Sequence, residues 1–158
     1  MRRFVLFMLL LALPLAGIAG AGQQAPISPG ARDKCPVCGM FVAKYPGWTG
    51  MIVYRNGTTF YFDGPKDLIT YYLNPGTYDP ARKRADIAAL YVKDYYSLAS
   101  IDGKRAFYVI GSNLLGPMGK ELIPFSRKSD AEGFLTDHQG KAILRFDEVT
   151  PATLKGLR

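Results

Sequence analysis

Two strand-like runs that meet at an Asn-Gly pair place the strongest constraint on the fold of this chain. The runs are "TGMIVYR" and "TTFYFD", both rich in β-branched and aromatic residues, and they meet at Asn56-Gly57. Asn-Gly between apolar runs is a strong hairpin signal, because both turn positions need a positive φ angle. The sequence therefore predicts a β-hairpin that turns at residues 56–57.

A helix and a third strand are predicted after the hairpin. Asp63-Gly64-Pro65 is typical of a helix start, with Asp63 as an acidic N-cap and a proline in the first turn. The following apolar residues lie on one helical face, which ends at "NPG". The later run "IAALYVKDY" predicts another strand. The first half of the chain is thus predicted to be β-β-α-β.

The second half of the sequence repeats this order. "RAFYVIG", "KELIPF" and "AILRFDEV" are strand-like, and a helix with a Ser129-x-x-Glu132 capping box precedes the last of them. At one constant spacing, three residues of the first half align with three of the second: Phe62, Asp67 and Tyr71 with Phe125, Asp130 and Phe134. We therefore predict an α+β fold of two similar β-β-α-β units, forming small antiparallel or mixed sheets with the helices packed on them.

The N-terminal residues are expected to lie outside these units. Two arginines precede the apolar run Phe4–Ile18, and small residues follow up to Ala21, which predicts a secretory signal peptide over residues 1–21. A retained membrane anchor is the alternative, although the run is short for a spanning helix and contains Pro14. The protein is therefore expected in the periplasm, after secretion across the inner membrane.

The predicted domain boundaries follow from these assignments. Residues 22–34 are rich in proline, glycine and polar residues and are predicted to be a flexible lead-in. The two β-β-α-β units are assigned to residues 35–98 and 99–150, and residues 151–158 to a C-terminal tail.

Both cysteines of the chain stand in "CPVCGMF", as Cys35 and Cys38. Thiols in an oxidising compartment tend to pair or to be oxidised, so this pair needs a local explanation. A structural disulfide, a redox pair and a metal site are all open. A thioredoxin-like pair belongs between a strand and a helix, and the sequence around Cys35 predicts a loop before it and strand residues after it. A closed zinc site needs four ligands, and this chain would have to supply carboxylates as well.

Two methionines favour a soft-metal site. Met40 and Met118 stand beside glycines in "CGM" and "GPMG", and neither lies on a helical or alternating apolar face. Glycine lets the backbone approach a ligand closely. Thiolates and thioethers are the soft donors that Cu(I) prefers. We therefore predict an open Cu(I) site formed by two loops, with Cys35, Cys38, Met40 and Met118 as its candidate ligands.

The remaining polar residues suggest no enzyme. His138 is the only histidine, and its predicted helical face is apolar, so a hydrogen-bonded core role is expected, with a third metal ligand or a pH-sensitive gate as the alternative. Asp33, Asp63 and Asp94 are expected to be caps or turn residues. No catalytic triad context, phosphate loop or paired-carboxylate motif is visible. The net charge is +7, but the basic residues are scattered, so no nucleic-acid partner is expected.

Several segments together resemble the NosL family of periplasmic copper chaperones. They are "CPVCGMFVAKYPGW", "YFDGP", "AFYVIGSNLLGPMGKELIPF", "DAEGFL" and "HQGKAILRFDEV". The resemblance runs from about Lys34 to Val149, and its anchors are Cys-x-x-[Cys or Asp]-Gly-Met and Gly-Pro-Met-Gly. It implies a duplicated β-β-α-β fold and Cu(I) binding. It also implies delivery of copper to nitrous-oxide reductase apoprotein or another cuproprotein, beside a membrane copper-handling ABC transporter complex.

The resemblance also implies roles for individual residues. The first anchor falls on Cys35, Cys38 and Met40, the second falls on Met118, and His138 falls in the His-Gly-Gly stretch of the family. Some members have Asp in place of Cys38, which makes Cys35 the safer ligand. Many members carry a Leu-Ala-Gly-Cys lipobox. Here "LAG" is followed by isoleucine, so no lipid anchor is expected.

The leading hypothesis is a non-enzymatic Cu(I) carrier with Cys35 and Met118 as its core ligands. Cys38 and Met40 would complete the site or hand on the ion. The alternatives are a periplasmic thiol–disulfide protein that acts through Cys35 and Cys38, and a zinc-binding or structural module.

Overall fold

The computed structural model describes residues 27–157. The predicted signal peptide over residues 1–21 lies outside these residues, as does the beginning of the predicted lead-in. None of the helices within residues 27–157 has the length and apolar character needed to cross a membrane.

Nine strands and three α-helices make up the described part of the chain. The strands are β1 (Gly50–Tyr54), β2 (Thr59–Phe62), β3 (Ile87–Lys93), β4 (Ser100–Asp102), β5 (Phe107–Ile110), β6 (Leu115–Gly116), β7 (Gly119–Lys120), β8 (Ile123–Phe125) and β9 (Ala142–Arg145). The helices are α1 (Pro65–Leu73), α2 (Lys128–Asp137) and α3 (Pro151–Lys155), so the predicted tail contains a short helix.

The strand order confirms the predicted α+β fold with two similar units. The first sheet has the order β2-β1-β3-β4 and the second has the order β8-β5-β9. In each unit the first strand lies between two antiparallel neighbours, and the helix connects those two neighbours. The predicted hairpin is present, with Gly50 opposite Phe62 and Val53 opposite Thr59.

Two hydrophobic clusters fill the molecule. The larger one lies between the first sheet and α1, and it includes Tyr71 and the sulfur-bearing Cys35. The smaller one lies between the second sheet and α2, where Phe134 packs on Phe125. The Cys35–Cys38 segment therefore rests on the first cluster, which is the larger of the two.

Three local predictions are wrong. The N-cap of α1 is Gly64 and not Asp63, and α2 begins at Lys128 without a side-chain cap, so the Ser129–Glu132 capping box is absent. A 3₁₀ turn, Val42–Lys44, stands where strand residues were expected. For Asp63 a tertiary contact outweighs the local preference, because its side chain accepts a hydrogen bond from the Cys38 thiol.

Candidate metal centre

The Cys35–Met40 segment is a closed loop. The Cys35 N–H donates to the Met40 carbonyl at 2.9 Å, and the Gly39 N–H donates to the Cys35 carbonyl at 2.8 Å. Gly39 has a φ of +79°, a conformation that glycine adopts at little cost. The loop therefore turns back on itself and aims both thiols toward the start of α1.

Two carboxylates of the α1 entrance meet these thiols. Asp63 precedes the helix and Asp67 lies in its first turn, and both are buried. The Cys38 thiol donates to Asp63 Oδ1 at 3.3 Å, and the Cys35 thiol donates to Asp67 Oδ2 at 3.4 Å. One ligand atom from each of these four residues lies within 4.8 Å of the others.

The site holds its thiols in the protonated form. Burial raises the pKa of the Cys35 thiol far above its ordinary value, and the nearby Asp63 carboxylate acts in the same direction. Burial, helped by Asp67 and Asp63, raises the pKa of Cys38 to about 12, although a backbone hydrogen bond from Met40 opposes this. Burial also raises the pKa of Asp67, although the neighbouring thiols lower it. Both cysteines are free thiols.

Met118, in the second half of the chain, lies next to the site formed by the cysteines and the two aspartates. It stands at the turn of a hairpin formed by β6 and β7, in which Gly116 pairs with Gly119. The Met118 side chain is 44% exposed, and it lines a cavity of about 360 Å³ together with Cys38 and Asp67. The structure thus brings the GPMG turn to the mouth of the cysteine site.

The other two candidate ligands, Met40 and His138, lie in different surroundings. Met40 contributes its carbonyl and N–H to the cysteine loop, and it is partly buried. His138 follows α2, stacks on Phe134 with ring centroids 4.1 Å apart, and has Nδ1 3.2 Å from Asn113 Oδ1. It is not among the four clustered donors. These contacts agree with the role expected from the sequence, a hydrogen-bonded histidine beside the core.

Sequence reasoning missed Asp63 and Asp67 as site residues. Asp63 was assigned to a cap, and Asp67 was noted only for its alignment with the second half. Asp33 and Asp94 do form turns, because they accept from the N–H groups of Gly30 and Ser97. A signal for the other two existed in "FDGPKD", where two acids four residues apart flank a helix start and can share one face.

The donor set fits a metal ion. Asp63 Oδ2 is buried and has no hydrogen-bond partner among the described residues, which costs free energy unless a cation or proton pairs with it. The two thiols become soft donors once deprotonated, and a bound metal deprotonates a coordinating thiol. The group therefore suits a thiophilic cation bound on the sulfur side, with the two acidic side chains behind the thiols.

Comparison with known proteins identifies the family of this chain. The NosL family model matches residues 26–154 of this chain. A copper-binding lipoprotein NosL of Stutzerimonas stutzeri is 32% identical to this chain, in an alignment that covers 92% of this chain and 81% of the relative. A protein of the same name from Achromobacter cycloclastes is 27% identical, over 95% of this chain and 81% of the relative.

A solved structure matches the fold as well. The crystal structure of the copper chaperone NosL from Shewanella denitrificans superposes with a TM-score of 0.69 at 29% identity, covering 82% of this chain and 98% of that one. The family model spans both loops of the site, Cys35–Met40 and Gly116–Gly119. The chain therefore belongs to the NosL family.

Proposed function

We propose that this chain is a periplasmic Cu(I)-binding metallochaperone in which Cys35, Cys38 and Met118 hold the ion. The observation that carries the proposal is the position of Met118 in the cavity that also contains Cys38. Thiolates and a thioether are the donors that Cu(I) prefers. The printed names of the relatives, copper-binding lipoprotein and copper chaperone, support the same function.

Met40 and His138 receive different roles in this proposal. Met40 belongs to the hydrogen-bonded cysteine loop, and we assign it to handing on the ion rather than to the resting site. We omit His138 from the ligands, because its ring is stacked on Phe134 beside the second cluster. Copper is the cargo here, and no residue is assigned a catalytic role.

The thiol chemistry supports metal binding over disulfide exchange. An attacking cysteine must be a thiolate, and reactive pairs gain it from a helix N-terminus or a nearby cation. Here burial and two carboxylates raise the pKa of both thiols. A metal ion can still bind these protonated thiols, because it displaces their protons on binding.

Anaerobic competition with a Cu(I) chelator tests the proposal. We expect one ion per chain, and we expect Cys35→Ser and Met118→Leu each to weaken binding at least about tenfold. Leucine keeps the volume of Met118 and removes only the sulfur. His138→Ala is the matched control and should stay within about twofold of the wild type. Binding that ignores both ligand substitutions would overturn the proposal.

Zinc is the second candidate, and the two carboxylates favour it. Two thiols and two carboxylates within 4.8 Å could form a closed four-ligand zinc site. Such a site would depend on Asp67 and not on Met118. A zinc chelator competition on Asp67→Asn and Met118→Leu separates the two readings. Tight zinc binding lost only in Asp67→Asn, with weak Cu(I) binding, would favour zinc.

The recipient of the copper is the last part of the proposal. We infer delivery to nitrous-oxide reductase apoprotein or another exported cuproprotein, next to a membrane copper-handling ABC transporter complex. Copper-loaded protein mixed anaerobically with purified apo-nitrous-oxide reductase should transfer its copper, measured as the metal content of the re-isolated reductase. Absence of transfer to that apoprotein, with tight Cu(I) binding retained, would point to a different cuproprotein.

A further inference from the structure

A buried lysine lies under the Met118 turn. Lys66 is the second residue of α1, and its side chain is only 6% exposed. Its Nζ donates to the carbonyls of Met118 at 2.8 Å, Lys120 at 2.9 Å and Leu157 at 3.4 Å. An ammonium has three N–H donors. Main-chain carbonyls therefore take all three, and two of them belong to the β6–β7 hairpin.

The hairpin needs such an anchor. Its ladder consists of two residue pairs, Leu115 with Lys120 and Gly116 with Gly119. An isolated two-stranded hairpin is marginally stable at best in water. Met118 is 44% exposed, so the packing of its side chain fixes the turn only in part. The position of the thioether therefore depends on contacts made by the backbone of the turn.

A buried glutamate holds the hairpin from the other side. Glu121 follows β7, and its Oε1 accepts from the N–H of Lys66 at 2.6 Å and from the N–H of Leu122 at 2.9 Å. A Cβ atom on Gly64 would collide with this carboxylate, and one on Gly116 would press on its stem at 3.0 Å. The two glycines thus let the hairpin dock on the start of α1.

The first turn of α1 therefore serves both halves of the site. Asp67 accepts a hydrogen bond from the Cys35 thiol, while the preceding residue, Lys66, holds the Met118 turn. Neighbouring helical residues point about 100° apart, so one helical turn faces two loops at once. The spacing between the thioether and the thiols is consequently set by a single rigid element.

We propose that Lys66 is a positioning residue for copper capture, whose buried ammonium fixes the Met118 turn over the cysteine loop. This inference rests on the proposed Cu(I) site and adds a residue that does not touch the ion. A thioether held in place before binding loses less conformational freedom when the ion arrives. The affinity contributed by Met118 should then require Lys66.

A double-mutant cycle between Lys66→Leu and Met118→Leu tests this inference, because leucine removes the ammonium without adding a sulfur donor. We expect Lys66→Leu to weaken Cu(I) binding about tenfold when Met118 is present, and to have no further effect in the Met118→Leu background. A general structural role would instead weaken binding equally in both backgrounds. X-ray absorption of the Cu(I)-loaded protein gives an independent readout, because Lys66→Leu should remove one sulfur neighbour from copper.

Two further variants complete the test. Lys155→Leu removes an exposed lysine of α3 and should leave the affinity unchanged. If Lys66→Leu does not fold, Lys66→Arg keeps the charge but cannot place three donors at one point, and it should show the same dependence on Met118. Equal losses in both backgrounds would overturn the positioning role alone. An unchanged affinity in Met118→Leu would overturn the proposed copper site itself.

Discussion

At the scale of single residues, the buried carboxylates beside the thiols define the chemistry of the site. Asp63 and Asp67 accept hydrogen bonds from Cys38 and Cys35, and they help burial to keep both thiols protonated. The free protein should therefore resist oxidation and alkylation, although it contains two thiols in one loop. Their reactivity should depend on the charge of the neighbouring acids.

Replacing Asp63 with asparagine should make Cys38 more reactive. The substitution removes the negative charge beside the Cys38 S–H group and replaces one carboxylate oxygen with an NH2 donor, so the pKa of the thiol should fall. Each unit of that fall raises the thiolate fraction tenfold at neutral pH. We expect iodoacetamide to label the metal-free variant about tenfold faster than the wild type, as measured by mass spectrometry.

A control variant isolates the local effect. Asp137→Asn removes the same charge from the exposed end of α2 and should leave the labelling rate unchanged. Equal rates for wild type and Asp63→Asn would show that burial alone suppresses the thiolate.

At the scale of elements, α1 is the part of the fold on which the site depends. Its first turn contacts the cysteine loop through Asp67 and the β6–β7 hairpin through Lys66. The helix was predicted from its apolar face and proline, and that prediction is confirmed. The hairpin was not predicted, because its strands are two residues long and it is stabilised by contacts with a distant helix.

Gly64→Ala should destabilise the protein, because the new methyl group would displace the Glu121 carboxylate from its hydrogen bonds. We expect a loss of about 2 kcal/mol in the free energy of unfolding, measured by urea titration. Gly133→Ala is the matched control within α2, where nothing lies near the added atom. It should stabilise by about 0.5–1 kcal/mol, because alanine favours the helix. Equal effects of both substitutions would contradict this account of Glu121.

At the scale of the whole molecule, Asp94 joins the two halves. It follows β3 of the first sheet, and its Oδ2 accepts from the N–H of Ser126, directly after β8 of the second sheet, at 2.7 Å. Its Oδ1 accepts from Ser97 at 2.9 Å. Burial opposes ionisation, but these hydrogen bonds outweigh it and lower the pKa of Asp94.

The lowered pKa of Asp94 predicts how the stability of the protein changes with pH. A carboxylate with a lower pKa in the folded state stabilises the fold above its unfolded pKa, and this contribution is lost as the pH falls through the folded value. The wild type should therefore lose stability below about pH 4. Asp94→Asn should be less stable at pH 7, and its stability should fall less steeply in acid. Parallel acid titrations of the two proteins would contradict this role.

Asp94→Ala tests how the two halves of the molecule are coupled in unfolding. It would leave the N–H groups of Ser97 and Ser126 without this acceptor, at a cost of about 3 kcal/mol. Trp48, the only tryptophan, packs on the second cluster and reports it by fluorescence, while tyrosines of the first cluster report by near-UV circular dichroism. We expect both signals to shift together in urea. A shift of the Trp48 signal alone would show that the halves unfold separately.

The sequence by itself determined the repeated β-β-α-β order, the Asn56-Gly57 hairpin and the two loops that contain Cys35 and Met118. These features are local, since they follow from periodicity, turn residues and side-chain chemistry within short segments. Only the tertiary structure decided that Asp63 and Asp67 face the thiols, that Lys66 lies under the Met118 turn, and that His138 stacks on Phe134. The physical reason is that a buried polar side chain takes its role from the partner that satisfies it, and that partner is distant in sequence.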